Sequence, residues 1–191
     1  MVAGYALRPD LTARPSRLSV QRGMSAAPSA LFRCWTDRFD DWFAAPGTLI
    51  VSTEVGAPFF FEAREQQRRV PHFGRLLRVQ ADQLLEFTWS TCATQGEETV
   101  VTVELSAEGK GTRLRLSHEG FPDERSRERH ETAWPSILAE LDRLSRIAGA
   151  GGYPAPRSAD NQCCGCMQMT TCSPRCVRSY STKSATASCG R

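Results

Sequence analysis

Three histidines and eight cysteines are the residues of this 191-residue chain whose types could do chemistry. His118 shares the parity of Leu114 and Leu116 in a strand-like run, so it points to the same side as those leucines. His130 lies one helical turn before Trp134 and aims at the same mouth. Two imidazoles with Glu119 close by could carry out acid–base work, because imidazole titrates near neutral pH. The same residues could equally cap and orient a strand-to-helix corner through hydrogen bonds. No nucleophile and no metal-like spacing accompanies them, so no catalytic residue and no metal site is assigned. His72 falls inside a predicted strand and reads as a rim residue.

The large aromatic residues are the next candidates. Trp89 shares a strand face with Leu85 and Phe87, and Trp134 sits on the apolar stripe of the last helix. Trp35, Trp42, Trp89 and Trp134 could form an aromatic cage or be core pieces with their indole N–H satisfied at an edge. Trp89, His118, His130 and Trp134 are taken as the lining of a ligand site, with Trp134 as a wall and the histidines as polar handles. Arg75 shares parity with Phe73 and Leu77. It would select a polar or anionic head group if it points inward, or snorkel to solvent if it does not. Six cysteines, at 163, 164, 166, 172, 176 and 189, crowd the end of the chain. The CxxC at 163–166 and the CxxxC at 172–176 are only five residues apart, against about 12 to 20 between the knuckles of zinc modules. Cys34 and Cys92 sit in apolar or strand-like segments and read as small buried thiols.

The elements that must position these residues follow from periodicity. Residues 113–117 alternate and run into a late helix carrying Trp134, Ile137, Leu138, Leu141 and Leu144 at steps of three and four. One apolar stripe must lie on something, and the preceding sheet is the surface available. Pro135 predicts a kink or restart, with the helix running from about Asp123 to Ala133, bending at Trp134 and continuing to about Ile147. Upstream, residues 17–24 alternate as a strand. Two short helical pieces follow, the first opening near Pro28 and the second capped by Asp37. Alternating runs at 48–55, 58–64, 72–80, 84–90, 99–105 and 113–117, joined by short polar turns, predict an antiparallel meander. Residues 1–14 form a loose leader, 15–148 the domain, and 149–191 a Gly/Pro linker and a cysteine-rich tail with no apolar periodicity.

Bulk charge excludes one class of function. The formal net charge is +3, and the segment from Gly149 onward supplies +4 of it, through four arginines and Lys183 against Asp160. The remainder is therefore slightly acidic and has no basic face for nucleic acid. No stretch approaches the roughly 20 apolar residues of a membrane span. The first residues lack a continuous apolar core, so cytoplasmic residence is the expectation. No cofactor is implied.

The motifs LFRCWTDRFDDWFA, LLEFTWS, TVVTVEL, GTRLRLSHEGFPD and HETAWPSILAEL, in that order, resemble the SRPBCC (START-like) superfamily. Within it they are similar to the domain found in activators of the 90-kDa heat-shock chaperone's ATPase. The resemblance spans about residues 15–147. It implies an α+β helix-grip fold, in which a curved antiparallel sheet of about seven strands wraps a long C-terminal helix around a cavity, with two short helices after the first strand. It also implies a non-enzymatic module for a small apolar or amphipathic ligand. The alternatives are a protein-interaction module that engages a chaperone and an enzyme of the cyclase or hydratase type. Ala133 stands where the family usually has glycine, and the separate N-terminal domain of the chaperone activators is absent.

Overall fold

The computed structural model describes residues 8–65 and 68–149. The first seven residues of the leader and the cysteine-rich segment after Gly149 lie outside them. Strand β1 (Arg17–Met24) leads into helix α1 (Pro28–Trp35) and a 3-10 turn (Phe39–Asp41), with a second 3-10 turn (Cys92–Thr94) later in the chain. Then come β2 (Pro58–Glu65), β3 (Arg68–Gln80), β4 (Leu84–Trp89), β5 (Thr99–Glu108), β6 (Gly111–Glu119) and the long helix α2 (Glu124–Gly149). The strands form one open sheet in the order β1-β6-β5-β4-β3-β2, and every neighbouring pair is antiparallel. This is the expected α+β helix-grip arrangement, with six strands among the described residues where about seven were expected. The difference is the run Thr48–Val55. Its backbone pairs with β2 at the bridge between Ile50 and Phe60, with the Thr48 hydroxyl accepting from the Glu62 amide, and Gly47 and Gly56, at φ +75° and +87°, turn the chain at both ends.

One sheet face carries the core. Across the register, Leu85 faces Val103, Val103 faces Leu116, and Leu116 faces Val20; one row further on, Phe87, Val101, His118 and Leu18 line up in the same way. Helix α2 lays Trp134, Ile137, Leu138, Leu141 and Leu144 on this face, and Leu138 and Leu141 are completely buried. The stripe read from the sequence is thus the one used. At the far end of α2 the stripe is interrupted by Asp142. This carboxylate is buried and accepts from the Ser25 amide at 2.8 Å and from Arg146 at 2.6 Å, tying the helix to the β1–α1 loop.

Two local expectations are corrected. Helix α2 continues through Pro135 as one element. The proline leaves the Glu131 carbonyl without its intrahelical amide, but Pro135 and Glu131 are both exposed, so water can serve that carbonyl and no restart is needed. Asp37 is not a cap: the 3-10 turn starts after Arg38 and has no side-chain cap, and Asp37 instead accepts a hydrogen bond from the neighbouring Thr36 hydroxyl. The last residues of the leader also have a place. Arg8 pairs with Glu119 and Glu86, and Arg14 with Glu97, so residues 8–14 contact the domain proper.

Candidate functional site

The strand-to-helix corner is built by a short polar cap. Asp123 accepts the Ser126 amide at 2.7 Å and the Gln95 side chain at 2.6 Å, which starts α2 directly after Phe121. On α2 the positions Ser126, His130 and Trp134 follow at intervals of four, so they share one face. This brings His130 to 4.8 Å from His118 between ring centroids, Trp134 to 6.0 Å from His118, and Trp134 to 5.9 Å from Trp89. The four residues selected from the sequence therefore form one connected group. Arg75 does not join it. It lies on the opposite face of β3 from His72 and Gly74, half-buried, with its guanidinium 3.2 Å from Glu98.

The group's hydrogen bonds assign roles to its members. The Trp134 indole donates to His118 Nδ1 at 3.2 Å, so that nitrogen carries a lone pair. His118 Nε2 lies 2.7 Å from Thr99 Oγ1, and the Thr99 hydroxyl donates to the Trp89 carbonyl at 2.6 Å. Only the neutral Nε2–H tautomer satisfies all three contacts. His118 is wholly buried, and that burial, with His130 adding to it, holds its pKa well below 6.5. It has neither a free lone pair nor a free proton. His130 is half-buried and donates Nδ1–H to the Ser126 carbonyl at 2.7 Å. Burial lowers its pKa, with Arg129 adding and the Ser126 bond opposing.

His72 is a correction: it is buried, not on a rim. In the β2–β3 register it faces Phe61, stacks on that ring at 4.5 Å and meets Trp89 edge-on at 4.8 Å. Its Nδ1–H donates to the Val70 carbonyl at 2.9 Å, and burial pushes its pKa down to about 3.

Around these histidines runs a continuous set of aromatic rings. Four of them close a cycle, Trp35 to Phe87 (6.2 Å), Phe87 to Trp89 (6.1 Å), Trp89 to Trp134 (5.9 Å) and Trp134 back to Trp35 (6.4 Å), all tilted. Contacts about the neighbouring Phe39 are tighter, for example 4.9 Å to Phe61 and 5.2 Å to Trp42. The four indoles differ in their bonding. Trp42 donates to the Cys34 carbonyl at 2.6 Å and Trp134 to His118. The Trp35 and Trp89 N–H groups are buried and have no acceptor among the described residues. Residue order carries no sign of which indoles stay open, since that depends on where acceptors fall in space.

An open cleft of about 1020 Å³ lies elsewhere, at the hairpin ends, with Gln21, Arg78, Leu84, Glu104, Arg113 and Arg115 in its wall. Its charges are largely matched from within the sheet, Arg115 with Glu104 and Arg113 with Glu108. Of the four buried side-chain donors without a hydrogen-bond partner among the described residues, two belong to this aromatic cycle, on Trp35 and Trp89, and the other two to Arg14 and Arg22; we place the candidate site at the cycle. Among the described residues no group of three or more His, Cys, Asp or Glu could hold a metal ion, and no helix is long and apolar enough to cross a membrane.

A helix-grip sheet closed by a C-terminal helix over an aromatic interior defines the START-like class. Residues 25–146 match the family model "Activator of Hsp90 ATPase homolog 1-like protein", and the chain belongs to that family. No curated protein matches it in sequence. Among solved structures it is similar to a protein from Chromobacterium violaceum, with TM-score 0.58 and 22% identity over 68% of this chain and 97% of that one. A protein from Mesorhizobium loti gives TM-score 0.58 and 22% identity over 72% and 99%. The AHSA1-like protein from Aeromonas hydrophila gives 0.57 and 18% over 74% and 100%. At these identities the likeness establishes the fold.

Proposed function

We propose that the chain is a non-enzymatic binding module that holds a small apolar or amphipathic molecule between the sheet and α2. The observation that carries this reading is the four-ring cycle of Trp35, Phe87, Trp89 and Trp134, which holds two buried indole N–H groups without an acceptor among the described residues. Aromatic walls with a few placed polar groups are the usual composition of small-molecule sites. Catalysis is the weaker reading, because His118 is neutral with both nitrogens engaged and cannot exchange a proton without breaking a bond to Trp134 or Thr99. His118 positions the Trp134 indole; it is not a handle for the ligand. Titration with the neutral fluorophore N-phenyl-1-naphthylamine tests the site. Phe87→Ala and Trp134→Leu should weaken probe binding at least tenfold, while Arg143→Ala on the exposed side of α2 leaves it unchanged. Equal binding by all variants, with folded circular-dichroism spectra, would refute the site. Turnover of a bound compound that disappears in His130→Ala would favour the enzyme reading.

A second reading, docking on another protein such as a chaperone, rests on Ile50, Val51 and Val55. These are the exposed large aliphatic residues of the described chain, Ile50 at 67%, and they lie together in the segment beside β2. A triple change to serine that abolishes a pulled-down partner without affecting probe binding would support it.

A further inference from the structure

We infer that the ligand is an uncharged molecule bearing a hydrogen-bond acceptor, such as a ketone or similar carbonyl, and that the Trp35 and Trp89 indole N–H groups are its donors. This rests on the binding reading above and specifies its chemistry. An interior donor without an acceptor is destabilising, and native folds leave few of them. Here two occur in the same cycle of rings, on residues only 6% and 3% exposed. Both indoles lie against the same two neighbours, Phe87 and Trp134. The chain has the means to close such donors, since Trp42 and Trp134 have built-in acceptors. The two open indoles share one cycle of rings, unlike the scattered open nitrogens of Arg14 and Arg22, and an acceptor oxygen on a guest would complete the pair.

The charge of the guest follows from the lining. Among the described residues, Asp142 is the one Asp, Glu, Lys or Arg that is buried. The histidines touching them are neutral. The buried carboxylate of α2, Asp142, is engaged by Ser25 and Arg146, two helical turns beyond Trp134. A carboxylate entering the cycle would lose its hydration and meet no cation, which is strongly unfavourable. A cation would face two N–H dipoles with their positive ends unanswered. A neutral oxygen acceptor is the group that gains there.

Three probes of one shape test this: 2-acetylnaphthalene, 2-ethylnaphthalene and 2-naphthoate. The parent chain should bind the ketone about 2- to 12-fold more tightly than the hydrocarbon for each donor engaged, and the naphthoate most weakly. Trp35→Phe and Trp89→Phe keep a ring and delete a donor, so each should narrow the ketone-over-hydrocarbon ratio while hydrocarbon binding persists. A measurement on the parent protein needs no variant to fold: in ¹⁵N-correlated spectra the ketone should shift the Trp35 and Trp89 indole N–H signals downfield and leave those of Trp42 and Trp134 in place. Equal affinity for ketone and hydrocarbon, or tightest binding of naphthoate, would overturn the acceptor inference and leave the binding reading standing. Failure of all three probes to bind would overturn both.

Discussion

Acidification should unfold this domain well above the pH at which its carboxylates protonate, because it buries histidines in their neutral form. His72 has its pKa lowered from 6.5 to about 3 by burial. Between those values the unfolded chain binds a proton that the native chain excludes, so its contribution to stability is complete above about pH 6.5 and is lost as the pH falls toward 3. At pH 5 the loss from this one residue is roughly 2 kcal/mol. His118 is shifted in the same direction and adds to the loss, because protonating Nδ1 would oppose two N–H donors, its own and that of Trp134. The half-buried His130 moves the same way. The lowered carboxyl groups of Asp123 and Asp142 lose their contribution only as the pH falls through about 4 and below, outside the window from 7 to 5. The roughly 2 kcal/mol from His72 alone is already a sizeable share of the about 5–15 kcal/mol typical of a domain. Urea unfolding followed by tryptophan fluorescence at half-unit steps from pH 7 to 5 measures it. His72→Phe, which preserves the stack on Phe61, should reduce the slope below pH 6 by roughly 1.4 kcal/mol per pH unit. A flat profile, or an unchanged slope in that variant, would show that these histidines are not buried neutral.

Other outcomes follow from packing. Leu141→Ala should cost about 2 to 5 kcal/mol through lost transfer energy and a residual cavity, while Arg143→Ala, on the exposed side of the same helix, should stay within about 0.5 kcal/mol; equal melting temperatures would contradict the stripe. Gly74→Ala should destabilise by about 1 to 3 kcal/mol or more, since its new methyl would overlap the Thr88 carbonyl and the Phe59 ring; a melting temperature at or above the parent's would show that this contact relaxes. Asp142→Asn should cost about 1 to 3 kcal/mol in denaturant unfolding at pH 7, because the buried carboxylate accepts from a backbone amide and an arginine.

Periodicity carried the architecture and half of the site. A period of two placed His118 with Leu114 and Leu116 on the covered face, and steps of four put His130 and Trp134 on one side of α2, so their meeting was legible in residue order alone. Parity failed where the strand departs from ideal pairing. Between Leu76 and Arg78 the β3–β4 register shifts, and it is Leu76 that joins the core cluster, while Arg75 pairs with Glu98. His72 looked peripheral because burial of a strand residue depends on its cross-strand partner, here Phe61, which local sequence does not reveal. Thr48–Val55 alternates like a strand, yet its backbone pairs with β2 in a single bridge at Ile50; alternation alone cannot supply a full ladder.

Which side chains remain free to act is a matter of bonding more than of residue type. The histidines attract notice in the sequence because imidazole titrates near neutrality, but folding closes His118 on both sides and suppresses its titration. It thereby becomes a bracket that links Trp134 on the helix to Thr99 and the Trp89 carbonyl on the sheet. The tryptophans attract notice as bulk, and bulk alone is usually core. Two of them nevertheless keep an unanswered donor in the interior. Closing those donors would have required only a carbonyl placed as Cys34 places one for Trp42. Chemistry conspicuous in the sequence has thus been consumed by the fold, and the capacity left over belongs to groups whose openness only three-dimensional neighbours decide.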